Sequence, residues 1–324
     1  MAIKDIFENY YRKLNKDIDM QSYKKYMENK ISNISISPTD RLYLAREKNR
    51  PTSIDFLDNI LEDKLIFKGD RIGGEDSSII SGIGRIKDLN ISFVAIEKGK
   101  TFQEKVKNNF GMVSPEGFRT AIRIFKEAEK FNRPVLTIID TPGANPSPKS
   151  EENGQSQQIA NSLLTMSSLK VPIISMIISE GYSGGALSLS LCDYLIMLEN
   201  AIFSILSPEG FGSIIFRDSS KVEEATKLLK FTAKDMKDFD ICQEIIPEKI
   251  DPSYEYYKEI FSYLQKDVYE KFKDLQKFSS VEYIAKACEI AKKYFKTIGI
   301  EVYPANVDDY KKLKEAGADF VTVF

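Results

Sequence analysis

The stretch Val171–Glu199, VPIISMIISEGYSGGALSLSLCDYLIMLE, constrains the fold more than any other part of the chain. An apolar run from Val171 to Ile178 breaks into Gly181-Tyr182-Ser183-Gly184-Gly185, and a small-residue helical segment from Ala186 to Leu191 follows. The pattern predicts a buried strand, a tight turn and a helix. Such a turn leaves backbone N–H groups unpaired at a helix start, where the helix dipole favours negative charge and glycine lets another molecule approach the backbone. Packing alone accounts for many bare patterns of this kind; the functional reading is a backbone oxyanion hole.

Composition narrows the chemistry that such a turn can serve. None of the 324 residues is histidine. Serine triads that use histidine, Cys–His dyads, HExxH zinc sites and histidine acid–base schemes are therefore excluded within this chain. Catalysis must rest on backbone dipoles, carboxylates, Lys, Arg, Tyr or a borrowed group. Cys192, Cys242 and Cys288 lie far apart, encoding neither a disulfide framework nor a zinc knuckle. A net charge of −2 gives no reason to expect nucleic acid or an anionic membrane as partner. The longest apolar runs stop short of the ~20 residues that span a bilayer. The N-terminus lacks the apolar core of a signal peptide, so a soluble cytoplasmic protein is expected.

Along the chain, Ile3, Ile6, Phe7, Tyr10, Tyr11 and Leu14 recur at helical spacing and predict a helical arm. A helix is expected from Asp40 to Arg46 and another from Thr52 to Phe67, then strands Ile79–Ile86 and Ile91–Glu97 joined by a hairpin-like turn. Lys98, Lys100, Lys105 and Lys107 form a basic cluster, read either as a solvated face or as a phosphate contact. Ser114-Pro115-Glu116-Gly117 is a helix start in chemical terms, and Ser207-Pro208-Glu209-Gly210 repeats it. Two such starts suggest similar strand–helix turns stacked along an axis.

The strand Pro134–Asp140 opens into Thr141-Pro142-Gly143-Ala144, a loop placed where open α/β folds bind ligands. Asp140-Thr141-Pro142-Gly143 has the DxxG form of GTPases, but no GxxxxGK[ST] loop precedes it. Two glycine turns, a Pro-rich strand-end loop and no histidine together favour a site working through backbone N–H groups, which stabilise an enolate-like oxygen strongly. The remainder from Val222 reads as mainly helical, with a strand–helix–strand close at residues 300–324.

Several motifs in one register carry a resemblance. Asn109-Phe110-Gly111-Met112, Pro115-Glu116-Gly117, Ile139-Asp140-Thr141-Pro142-Gly143-Ala144, Glu180-Gly181, Ser183-Gly184-Gly185-Ala186 and Ser207-Pro208-Glu209-Gly210 resemble the alpha subunits of bacterial acetyl-CoA carboxylase carboxyltransferase. Asp40-Arg41, Arg50-Pro51-Thr52 and Gly69-Asp70-Arg71 fit the same family, and the likeness covers about residues 35 to 248. It implies an α/β, crotonase-like (ClpP/crotonase) superhelix of stacked ββα turns with an N-terminal helical arm and C-terminal helices. It also implies transfer of a carboxyl group from carboxybiotin on a carrier protein to acetyl-CoA, giving malonyl-CoA for fatty-acid synthesis. The implied partners are a carboxyltransferase beta subunit carrying the zinc and most of the acyl-CoA pocket, biotin carboxyl carrier protein and biotin carboxylase, in an alpha2beta2 assembly. No metal is expected in this chain. By that resemblance the amides of Gly184 and Gly185 hold the biotin ureido oxygen, with Gly143, Ala144, Gly181, Tyr182, Ser183, Ala186 and Gly210 around the bound group.

The sequence departs from the family at Tyr182, where glycine is usual, at Asn145, where tyrosine is usual, and at Phe211-Gly212 and Lys249–Pro252. Whether Tyr182 crowds biotin or stacks against it is open at this level. The expected organisation is an arm over 1–34, a carboxyltransferase domain over 35–250, helices over 251–298 and a βαβ-like tail over 299–324. The tail resembles a βα unit of a TIM barrel, as in radical-SAM enzymes. Two other functions fit the same residues: a silent paralogue that scaffolds a carboxylase complex, and a stand-alone crotonase-type hydratase or isomerase.

Overall fold

The structure is a computed structural model that describes residues 36–248, 254–276, 280–302 and 306–323. The arm expected over 1–34 and the Lys249–Pro252 departure lie outside the described residues. Helix α1 (Pro38–Ala45) starts on a capping box in which Ser37 Oγ accepts from Asp40 N at 3.1 Å and donates to Asp40 Oδ2 at 2.7 Å. Helix α2 (Ser53–Ile60) buries Phe56, Leu57 and Ile60. The single helix expected from Thr52 to Phe67 does not form. Leu61 turns extended, and β1 (Asp63–Ile66) pairs antiparallel with β2 (Ile79–Ile86). The apolar run at Leu65–Phe67 suits either period, and the partner strand decides.

Strand β3 (Leu89–Ile96) closes the predicted hairpin on β2 through Lys87-Asp88, with Lys87 at φ 53°. The turn is two residues shorter than expected, as a tight hairpin prefers. Helix α3 (Phe102–Lys107) and a 3₁₀ turn (Asn109–Gly111) lead to α4 (Pro115–Lys130), whose inner face is Phe118, Ala121, Ile124, Phe125 and Ala128. Strand β4 (Val135–Thr141) follows, then α5 (Pro148–Glu152) and α6 (Gln155–Ser168). The two helices are separated at Gly154, which sits left-handed at φ 81°.

Strand β5 (Ile173–Tyr182) is buried along its whole length and feeds α7 (Ser183–Ser190). Strands β6 (Tyr194–Leu198) and β7 (Ile202–Ser204), helices α8 (Pro208–Ile215), α9 (Val222–Leu228) and α10 (Ala233–Asp238), strand β8 (Glu244–Ile246) and helix α11 (Tyr254–Leu275) complete this part. The sheet order is β1-β2-β3-β4-β5-β6-β8, with β7 paired to β5 and every pairing from β3 onward parallel. Parallel strands covered on both faces read as continuous apolar runs, which is why β4 and β5 were visible in the sequence.

The chain divides into two compact units between residues 272 and 273. In the second, α12 (Ser280–Ala291) precedes the parallel pair β9 (Gly299–Val302) and β10 (Phe320–Val323), joined by α13 (Val307–Glu315) around Cys288, Ile298, Leu313 and Ala318. The strand–helix–strand order expected there is present. Among the described residues no helix is long and apolar enough to cross a membrane.

One joint of the main sheet carries a pH signature. Asp193 Oδ2 accepts from Ile173 N at 2.7 Å, clipping the start of β5 to the approach to β6, and burial pushes its carboxyl up to about 6 against the opposing amide. The unfolded value is about 4, so the native state holds the extra proton between the two and stability falls as pH rises from about 4 to about 6. Denaturation of wild type and Asp193→Asn across pH is expected to show their stability difference changing through that window and flat above about pH 7. Parallel curves would refute the assignment.

Candidate functional site

The site forms where β4 and β5 end side by side. Their ladder runs in register to Ile139–Ile177, shifts, and resumes at Thr141–Gly181. Beyond it each strand turns through glycine, β4 into Pro142-Gly143-Ala144 and β5 into Ser183-Gly184-Gly185. The two turns touch. A Cβ built on Gly185 would lie 2.5 Å from both Ala144 N and Gly143 C, so no side chain fits there. Gly143 sits at φ 135° with nothing within 4 Å of a Cβ on its free side. The pair thus forms a close-packed floor with open space above it.

The turn after β5 is tighter than the sequence suggested. The strand continues through Gly181 and Tyr182, and Ser183 alone makes the reversal at φ 57°. A non-glycine residue in the left-handed region is strained, and such strain persists only where surrounding structure enforces it. Ser183 is exposed and begins α7, whose cap position carries no side-chain hydrogen bond. The first-turn amides of α7, at Gly184, Gly185 and Ala186, have no i−4 carbonyl inside the helix. These amides therefore take their partners from outside the helix.

Thr141 fastens the β4 turn: its Oγ1 lies 2.7 Å from Gly111 O and accepts from Gly143 N at 3.0 Å. Ala144 bridges Val113, and Asn145 N donates to Val113 O at 3.0 Å. Asn145 Nδ2 reaches Ser114 Oγ at 3.3 Å, so this departure from the family serves the first Ser-Pro-Glu-Gly turn. That turn follows β3 only after α3 and the 3₁₀ turn, and Ser114 makes no capping bond, whereas Ser207 Oγ accepts from Gly210 N at 3.2 Å and caps α8. The same four residues therefore do different work in the two places.

Tyr182 is 1% exposed and packs with Leu42, Ala45, Ile202 and Phe231. Its ring is inside the core rather than on an open pocket wall, so only its backbone faces the turn. The hydroxyl neighbours Arg46 without a hydrogen bond of good geometry, and burial, followed by the Glu180 charge, raises its pKa. Gly181 lies beneath, where a Cβ would press on Phe203 at 3.2 Å. Gly210 belongs to the α8 start, next to Glu209, whose carboxylate pairs with Arg46 and through it with Glu180.

Charge organises the ends of the strands, a feature the sequence reading missed. Lys98 Nζ donates to Asp140 Oδ1 and Glu180 Oε2, each at 2.7 Å. Arg46 Nε donates to Glu180 Oε1 at 2.7 Å, while its Nη1 reaches Glu209 Oε1 at 2.6 Å. Burial alone would lower the Lys98 pKa and raise that of Glu180; the charges of Asp140 and then Glu180 outweigh it at the lysine, and those of Lys98 and then Arg46 at the carboxyl, keeping the lysine charged and the carboxyl below its usual range. Lys98 therefore belongs neither to a solvated face nor to a phosphate contact, and Lys100 pairs with Asp55 at 2.6 Å. A pocket of about 460 Å³ opens beside this cluster, lined by Lys98, Asp140, Pro142 and Glu180 among others. Among the described residues no three His, Cys, Asp or Glu side chains gather to hold a metal ion.

This fold is the crotonase fold seen in solved carboxyltransferases. Transcarboxylase 12S, solved with methylmalonyl-coenzyme A and methylmalonic acid bound, matches with a TM-score of 0.53 at 20% identity over 66% of this chain and 41% of its own. Within that class, residues 2–297 match the family described as "Acetyl co-enzyme A carboxylase carboxyltransferase-like", and the chain belongs to this family. It is 50% identical over 212 residues to the acetyl-coenzyme A carboxylase carboxyl transferase subunit alpha of Clostridium botulinum (strain Alaska E43 / Type E3), covering 65% of this chain and 77% of the relative. It is 44% identical over 248 residues to the subunits beta/alpha protein of Clostridium tetani (strain Massachusetts / E88), covering 76% of this chain and 43% of that relative.

Proposed function

We propose that this chain is the alpha half of a biotin-dependent carboxyltransferase that moves a carboxyl group from carboxybiotin on a carrier protein to acetyl-CoA, giving malonyl-CoA for fatty-acid synthesis in the cytoplasm. The observation that carries this reading is the contact of the Gly143–Ala144 and Gly184–Gly185 turns, which leaves backbone donors at the start of α7 and room for a group above Gly143. Carboxybiotin supplies the carboxyl group for transfer. The chain supplies fixed dipoles: the amides of Gly184 and Gly185, with Ala186 behind them, aim at an oxygen that becomes more negative as the reaction proceeds, which lowers the barrier. Gly143, Ala144, Gly181, Ser183, Gly210 and the backbone of Tyr182 shape the surrounding wall.

A carboxyltransferase beta subunit is the expected partner, bringing the zinc and most of the acyl-CoA pocket, with biotin carboxyl carrier protein and biotin carboxylase in the larger complex and an alpha2beta2 core. The occurrence of beta and alpha in one relative supports this pairing. Residues 35–250 are assigned the transfer domain. A stand-alone hydratase or isomerase is disfavoured by the cluster just described: the carboxylates at the strand ends, Asp140 and Glu180, are both engaged by Lys98.

Reconstitution tests the assignment. Purified chain mixed with beta subunit, carboxylated carrier and acetyl-CoA is expected to form malonyl-CoA, and either protein alone is expected to form none. Tight beta binding without product would identify a silent scaffold, and turnover of an enoyl-CoA by the chain alone would identify a hydratase.

A further inference from the structure

We propose that Lys98 is a positioning residue: by holding Asp140 and Glu180 on one ammonium, it sets the spacing between the Gly143–Ala144 and Ser183–Gly185 turns. The inference rests on the proposed function for its activity readout. Asp140 precedes Gly143 by three residues on β4, and Glu180 precedes Gly184 by four on β5. Between these strands the backbone ladder is interrupted where the two side chains sit, with a register shift between Ile139 and Thr141. Glu180 N donates to Asp140 Oδ1 at 3.3 Å, a long bond for this position.

The lysine bonds are the short ones, and all three side chains are largely shielded, at 16%, 9% and 9% exposure. Two like charges so placed repel unless a cation lies between them. The stem of Lys98 is fixed in turn, because a Cβ on Gly111 would meet Lys98 Cγ at 2.7 Å and Asp140 O at 2.9 Å. Arg46 extends the chain of charges from Glu180 to Glu209 at the start of α8. An ammonium suits this place because its donors radiate from one point towards acceptors on different strands, which a planar guanidinium does not reproduce. Lys98 acts on the donors through the strand ends and is not itself assigned a contact with substrate.

In the reconstituted complex, Lys98→Met is expected to lower kcat about 100-fold with KM for acetyl-CoA changed by less than about threefold, the pattern of misaimed donors. The double variant Lys98→Met/Asp140→Asn removes the repulsion and places an amide donor beside Glu180, so it is expected to regain at least about tenfold. Hydrogen exchange on the chain alone gives an independent reading: amides of residues 143–144 and 184–186 are expected to exchange about tenfold faster in Lys98→Met and to slow again in the double variant, while those of α4 stay unchanged. Should Lys98→Met fail to fold, Lys98→Arg is expected to fold and lose about tenfold in kcat. Wild-type kcat in both single variants, unchanged exchange at the two turns, or a double variant no better than Lys98→Met would overturn the proposal. Absence of product from the wild-type complex would instead overturn the proposed function, and the exchange measurement would then decide the role of Lys98.

Discussion

Replacing Gly185 by alanine is expected to lower carboxyl transfer by roughly 10³-fold, the cost of losing one backbone oxyanion donor at about 4 kcal/mol. The added methyl would lie 2.5 Å from Ala144 N and Gly143 C, and backbone cannot step aside as a side chain does. One turn must therefore move, taking its amides with it. Gly184 provides the matched control. A methyl there meets only Ile159 Cδ1 and Cγ2 at 3.3 Å, the flexible end of a side chain on α6. Gly184→Ala is expected to keep activity within about tenfold of wild type, since repacking one such contact costs about 1 kcal/mol. Initial rates of malonyl-CoA formation by the two reconstituted variants decide the matter. Equal activities would show that the contact between the turns does not set the donors.

The largest stability effect is expected at Glu248. Its side chain is fully buried and binds Arg50, with Nη1 2.9 Å from Oε1 and Nη2 3.2 Å from Oε2. It also accepts from Tyr257 Oη at 2.6 Å and Asn200 N at 2.8 Å. Arg50 Nη2 continues to Ile178 O at 2.5 Å, so the pair pins β5 two residues before Glu180. Glu248→Ala leaves a buried guanidinium without its carboxylate and is expected to destabilise by about 3–5 kcal/mol. For a unit of this size that is a fall in melting temperature of about 10 °C. Glu248→Gln keeps an acceptor for Asn200 and is expected to lose less. Thermal melts in which Glu248→Ala matches wild type would show that the pair contributes nothing net.

Both effects arise at places where the sequence offered unequal guidance. The apolar runs of β4 and β5 and the Ser-Pro starts of α4 and α8 were legible because each is local: a strand buried on both faces is apolar throughout, and a helix start names its own chemistry. The segment Thr52–Phe67 was not, because Leu65 and Ile66 take their strand form from pairing with β2. Lys98 looked like one of four surface lysines. Its burial depends on carboxylates 42 and 82 residues later, at Asp140 and Glu180, and no local pattern connects them. Tyr182 posed the opposite problem, since a tyrosine beside the glycine turn suggested a pocket wall until the core of α1, β7 and Phe231 took up its ring.

The sequence by itself determined the kind of chemistry available. Without histidine, every histidine-based scheme was excluded, and Gly184-Gly185 opening a helix after a buried strand favoured a site built on backbone donors. Tertiary structure alone decided that the turn at Gly143 meets the turn at Gly185 and that Lys98 joins the strands beneath them. The physical reason is that donors are made by local geometry, whereas their aim depends on the distance between two strand ends, which pairing, close packing and shared charge fix across the sheet.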